Sequence, residues 1–208
     1  SVQLGKDLES IGEGAFENDT ALESIVIPDS VTYMPSGVFK NCSKLKKVGM
    51  SANLKCLYNS FEGTAIEVLE VPSSVETIYT NALEKISGLK VIYAGSENVA
   101  KLCKEKMPNL AYCITDGGNL KMNSTLTSTS FCEVERMGDI FDGWYVGDNK
   151  AASLESGKTY TAKWTPDPNA VVEGDCSDKD EDNVTWKYER ATKTLTISGK
   201  GKMDSYTS

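Results

Sequence analysis

One apolar pattern recurs four times in the first ninety residues at intervals of 21 to 23, and a chain with that period is constrained to fold as stacked, quasi-one-dimensional units. Aligned columns appear at Phe16, Phe39, Phe61 and Leu83, at Ile11, Met34, Leu57 and Ile78, and at Leu8, Val31, Leu54 and Val75. A further set, Leu22, Leu45, Ile66 and Leu89, stands three residues before Ile25, Val48, Leu69 and Ile92, which is the spacing of a turn entering a short strand. No single unit can bury its apolar face, so neighbours must share one core. The pattern predicts four stacked coils, with the Phe column inside and a parallel sheet through Ile25, Val48, Leu69 and Ile92.

Before each Phe-type anchor stand small residues, Ala15, Val38, Ser60 and Ala82, and before those Gly14, Gly37, Asn59 and Asn81. Gly and Asn accept positive φ most readily, so a tight left-handed or helix-end bend is expected there in every repeat. Repeat three is two residues short, around Leu57 to Ile66, and should be tighter on its turn side.

The repeats stop near residue 95. Ser96 can cap a helix over about 96–107, apolar on one face through Val99, Leu102, Cys103 and Met107 except at Lys106, and ended before Pro108. Leu110 and Cys113 follow Leu89 and Ile92 by 21 residues, so one more strand should join the sheet. Residues 116–165 lose the period; Phe141, Trp144 and Tyr145, then Tyr160, Ala162 and Trp164, read as two strands around a Gly-Asp-Asn turn. Thr165 to Asn169 reads as a Pro-rich linker. Beyond it Val184, Trp186 and Tyr188 alternate on one strand and Leu195 and Ile197 on another, a hairpin turning near Arg190 to Lys193.

On the strands, the residues between core positions should face the exposed side of the sheet. Glu23, Lys46, Glu67 and Lys90 then alternate in charge across strands about 4.8 Å apart. Lys47, Val68, Glu70, Val91 and Tyr93 are the candidate partner-binding residues of that face.

Chemistry is scarce. There is no histidine, which removes His-based triads and imidazole zinc sites, and no residue is proposed as catalytic or cofactor-binding. The net charge of -8 and isoelectric point near 4.7 argue against nucleic acid or an anionic membrane as partner. No apolar run reaches membrane-span length. The chain opens in mid-repeat at Ser1, as a mature or excised piece would. Six cysteines include no CxxC; packed free thiols are expected, with Cys103 and Cys113 the best disulfide candidates. Asp178, Asp180, Asp182 and, twelfth in line, Glu189 have the oxygen spacing of an EF-hand loop. Position six is Asn183 rather than Gly, and the strand pattern VTWKYE stands where a helix should leave. A charged surface loop without calcium is expected.

The stretches IGEGAFENDTALESIVIPDSV and MPSGVFKNCSKLKKV resemble the BspA-like leucine-rich repeat of bacterial cell-surface proteins over residues 1 to about 114, although the Cys of that repeat is kept only at Cys42. F-x-G-W-Y at Phe141 to Tyr145 and Y-x-A-K-W at Tyr160 to Trp164 resemble the Listeria-Bacteroides (InlB-type) β-grasp-like repeat. The hairpin ending LTISGKGKM resembles the element that opens a BspA-like array. These resemblances imply an α/β leucine-rich-repeat solenoid at 1–115, a β-grasp-like module at 116–165, and a linker with a capping-type hairpin at 166–208. They imply a non-enzymatic extracellular or cell-surface protein that binds a protein or matrix ligand of a host or neighbouring cell. A spacer or accessory region of a larger surface enzyme is the alternative. The hairpin adds a partner expectation, head-to-tail self-association.

Overall fold

The structure, a computed structural model, describes residues 2–121, 126–177 and 183–202. It divides into two compact units, Ser1–Val134 with Gly143–Lys163, and Glu135–Asp142 with Trp164–Ser208. Of the described residues, 116–121, 126–134 and 143–163 group with the repeats.

The elements in chain order are β1 (Ser24–Val26), β2 (Lys47–Gly49), β3 (Cys56–Leu57), β4 (Val68–Val71), β5 (Thr77–Ile78), β6 (Val91–Ala94), α1 (Glu97–Lys106) and β7 (Ala111–Ile114). Then come β8 (Asn119–Leu120), β9 (Val134–Glu135), β10 (Asp139–Val146), β11 (Asn149–Lys150), β12 (Thr159–Pro166), β13 (Val171–Asp175), β14 (Thr185–Glu189) and β15 (Thr194–Ser198). Among the described residues this is a mostly-β architecture with one helix and open sheets, only loosely the α/β solenoid expected. The reason is local. The Phe-bearing side of each repeat is built from turns, because left-handed residues recur there too often for a helix to propagate.

Those residues are Gly14, Gly37 and Asn81, at φ of 63°, 75° and 67°, as expected. Asn59, in the shortened repeat, also bends, but without a left-handed conformation. A second left-handed column went unread: Asn18, Asn41 and Gly63, each two residues after a Phe, at 65°, 61° and 72°. The amide of Asn41 donates to Asn18 Oδ1 at 3.0 Å. At the next rung a Cβ on residue 63 would stand 2.8 Å from Asn41 Oδ1, so only Gly fits.

Backbone bonds tie each turn to the next. The N–H groups of Phe16 and Asn18 donate to the carbonyls of Val38 and Lys40, and those of Phe39 and Asn41 to Ser60 and Glu62, all within 2.8–2.9 Å. This register brings the Phe rings face to face, Phe16 on Phe39 at 5.5 Å and 14°, Phe39 on Phe61 at 5.6 Å and 9°. Phe39, Phe61 and Leu83 are fully buried and Phe16 packs partly buried against the same core.

On the strand side, Ile25 pairs with Val48, and Leu69 with Ile92, which in turn pairs with Tyr112, all parallel as expected. The continuous sheet expected through all four positions is interrupted, since no ladder joins β2 to β4. Val48 and Leu69 are 21 residues apart where the neighbouring intervals are 23. At this crossing Ala65 N–H donates to the Leu45 carbonyl at 3.0 Å.

Helix α1 follows the expected cap, with Val99 N–H donating to Ser96 Oγ at 3.3 Å, and buries Val99, Ala100 and Cys103. Strand β7 then joins β6. Beyond β7 the sheet continues through β12, β10 and β11, so it holds six strands in the order β11-β10-β12-β7-β6-β4. The Gly147-Asp148 turn between β10 and β11 is the one expected.

In the second unit β13, β14 and β15 form an antiparallel sheet. The expected two-stranded hairpin is thus three-stranded, because Val171–Asp175 pairs with β14. The expected linker is also ordered: β12 runs through Pro166, and Asn169 N–H donates to the Asp167 carboxylate at 2.9 Å in a turn. Trp186 lies over Gly174, where a Cβ would stand 2.8 Å from the indole nitrogen. Arg190 donates to the Gly138 and Asp167 carbonyls at 2.6 and 3.1 Å. Leu195 and Ile197, on the edge strand β15, are 58% and 50% exposed.

Candidate interaction surface

The sheet face that should have been open is partly closed by the chain's own residues. Val68, Val91 and Tyr93 are buried rather than exposed, and Glu70 and Lys47 are half-buried. Their cover is the segment after β7 together with β10 and β12. Trp144 meets the Tyr93 ring edge-on at 5.6 Å, Phe131 stacks on Trp144 at 5.6 Å, and Tyr160 stands edge-on to Phe131 at 5.0 Å. The aromatic pairs of the period-free segment and the apolar members of the sheet face thus bury one another. Sequence columns missed this because they show which face a residue takes, not what lies on it.

Three polar groups of the face hold the cover. The Tyr93 hydroxyl accepts Cys132 N–H at 2.6 Å, Glu70 accepts Leu120 N–H at 2.8 Å, and Glu67 accepts the Ser128 hydroxyl at 2.6 Å. Burial pushes the Glu70 carboxyl above its ordinary range, against the opposing pull of the Leu120 bond and of Lys47. Glu67 is shifted the other way, by Ser128 and then by Lys90 at 3.1 Å. That Glu67–Lys90 pair is one rung of the expected charge ladder.

What stays open on this face lies over β1 and β2 and beside the start of β4. Val26 is 50% exposed beside Gly49, and a concavity of about 200 Å³ runs from there to Lys47, Glu70, Leu120 and Leu126. A second hollow of about 400 Å³ lies against Lys46, Lys47, Glu67 and Val68. Of the five expected partner-binding residues, Lys47 and Glu70 line the first and Lys47 and Val68 the second.

A second exposed feature lies on the turn side, where β3 and β5 pair. Tyr58 stacks on Tyr79 at 4.2 Å and 13°, and Tyr33 meets Tyr58 edge-on at 5.2 Å and 65°. Tyr33 and Tyr79 are 50% and 44% exposed. The neighbouring Tyr79 phenol holds the Tyr58 phenol above its ordinary range. The signal was present, since Tyr58 and Tyr79 each follow a core residue, Leu57 and Ile78. Pro35 at the same place in repeat two, and Tyr33 on the other side of Met34, hid the column.

Cys103 and Cys113, the expected disulfide candidates, are both buried free thiols. Cys103 packs in the repeat core beside Tyr112, whereas Cys113 pairs across the ladder with Tyr93 on the covered face. Cys103, in α1, lies on the side of β7 that Tyr112 faces, and Cys113 points to the other side of that strand. Asp178, Asp180 and Asp182 lie outside the described residues. Glu189, the fourth member of that set, is paired with Lys187 at 2.9 Å. Among the described residues no group of acidic, Cys or His side chains is gathered as a metal site. Nor is any helix of the described residues long and apolar enough to cross a membrane.

Repeats of this period, each with a short strand and a turn side closing over a shared core, are similar to leucine-rich repeats. Residues 1–101 match the BspA type leucine rich repeat region in six copies, against the four full repeats that the columns count, so this half of the chain is similar to that family. Repeats of this type are generally protein-interaction modules of surface proteins and are typically non-catalytic. Neither curated proteins nor solved structures give a match.

Proposed function

We propose that the chain is a non-enzymatic, extracellular or cell-surface module that binds a protein or matrix ligand of a host or neighbouring cell, with its repeats wound as a right-handed solenoid. The observation that carries this reading is the stack of Phe16, Phe39 and Phe61, which sets successive repeats in one register and so aligns their outer side chains into an extended surface. Large partners suit such a surface better than small ones. Fluorescently labelled chain applied to cultured host cells and to matrix-protein coatings tests it: saturable binding, competed by unlabelled chain, is expected. Binding that rises linearly with concentration and is not competed favours the alternative, a spacer or accessory region of a larger surface enzyme. The closing of much of the sheet face by the chain's own aromatics is the observation on that side.

Residues 116–165 are proposed as a β-grasp-like module of the InlB type, and 166–208 as a capping-type element. The exposure of Leu195 and Ile197 on an edge strand supports self-association through that element. Leu195→Glu with Ile197→Glu, compared with the parent by sedimentation, reads it out. Calcium is not expected to bind at Asp178, Asp180, Asp182 and Glu189.

A further inference from the structure

The turn-side tyrosines are placed for chemistry as well as for contact. Strands β3 and β5 set Leu57 opposite Ile78, and Tyr79 N–H donates to the Leu57 carbonyl at 3.0 Å, so the two following tyrosines leave adjacent backbones on the same side. Their rings lie 4.2 Å apart and 13° from parallel, and both side chains leave their strands in the same direction, which brings the ring carbons ortho to the two oxygens close together. Tyr33 touches the pair from the other side, and both outer rings are open to solvent. By contrast Tyr93, Tyr112 and Tyr160 are fully buried.

We propose that Tyr58 and Tyr79 are a site of oxidative coupling, at which a peroxidase-class one-electron oxidant with hydrogen peroxide forms a dityrosine link between consecutive repeats. Each phenol loses one electron and its hydroxyl proton. The two phenoxyl radicals join through ortho ring carbons in one new carbon–carbon bond, and the two displaced ring hydrogens move to the oxygens as the rings regain aromaticity. Two hydrogen atoms leave the protein, and one hydrogen peroxide takes them up as two waters. Parallel neighbours stand about 4.8 Å apart, so the ortho carbons begin close together, and as the rings regain aromaticity each hinges out of the stack until the new bond lies in both ring planes. Tyr33, the most exposed ring of the three, serves as an entry point from which an electron hole passes to Tyr58. The link would fasten repeats three and four through their side chains, where β3 and β5 supply only a short ladder.

Cys56, a half-exposed thiol in β3, is the competing electron donor, so the test uses both the parent chain and Cys56→Ser. Each is treated with peroxidase and hydrogen peroxide at high dilution, then digested and analysed by mass spectrometry and dityrosine fluorescence. The expected result is a peptide pair joining Tyr58 to Tyr79, two hydrogens lighter than the sum of its parts, on a protein that remains a monomer and melts higher than before. Tyr79→Phe, which keeps the stacked ring, should abolish the link, and Tyr33→Phe should slow its formation without moving it. Fluorescence unchanged in Tyr79→Phe, links chiefly between molecules or to other tyrosines, or a folded Cys56→Ser protein with no link would overturn the proposal.

Discussion

The phenol oxygen of Tyr93, on β6, the second strand from the end of its sheet order, accepts the backbone N–H of Cys132 at 2.6 Å, 39 residues further along the chain. Both residues are buried. A repeat residue thereby satisfies a donor of the segment that covers it, and the cover becomes part of the same core as the sheet.

Removing that oxygen with Tyr93→Phe leaves the Cys132 N–H buried without this acceptor, at a cost of about 1–3 kcal/mol. Denaturant melts should show the loss. Hydrogen exchange should show it first at the Cys132 amide, with the amides of β1 and β2 unchanged.

Phe39 is the middle ring of the stack and fully buried between Phe16 and Phe61. Phe39→Ala should destabilise the repeat unit by about 3–5 kcal/mol, the usual effect of deleting a buried aromatic. A thermal melt close to that of the parent would contradict the shared core.

Glu70 gives a pH signature. Its carboxyl is raised by burial, so the folded state holds the proton more tightly than the unfolded chain does. The contribution to stability is full below the ordinary carboxylate range and is lost as pH rises through the raised value. Glu70→Gln keeps an oxygen for Leu120 N–H and removes the charge. The variant should melt above the parent at neutral pH, with the gap closing on acidification; the reverse order would show that attraction to Lys47 outweighs burial.

Thiol accessibility separates the cysteines. Cys56 is half-exposed, while the other five are buried. Burial pushes Cys103 up to about 12 and raises Cys42 and Cys113 as well. Iodoacetamide on the native protein should therefore modify Cys56 first and the rest only on unfolding, as peptide mapping at successive times would show.

The repeat core was legible because its period is local. Phe16, Phe39 and Phe61 recur at an interval that each repeat enforces on the next, and Ser96 caps α1 within a single turn. Register could be read wherever the interval held, and it was misjudged between Val48 and Leu69, where the chain is two residues short. The covered face was not legible. Val68, Val91 and Tyr93 share a side of the sheet by strand alternation alone, but whether that side meets water or Trp144 depends on contacts between residues some fifty apart in the chain. The third strand, β13, was hidden for a related reason: Val171–Asp175 carries little apolar alternation of its own and becomes a strand by pairing with β14.

Sequence alone determined the repeat, its inward columns, the helix that follows it and the lack of imidazole chemistry, since each depends on residue type at short, regular spacing. Tertiary structure alone decided which outer residues remain a surface. It buried Tyr93 beneath Trp144 and left Tyr33, Tyr58 and Tyr79 exposed in one stack, because solvent exposure depends on what the rest of the chain packs against, and no local pattern encodes that.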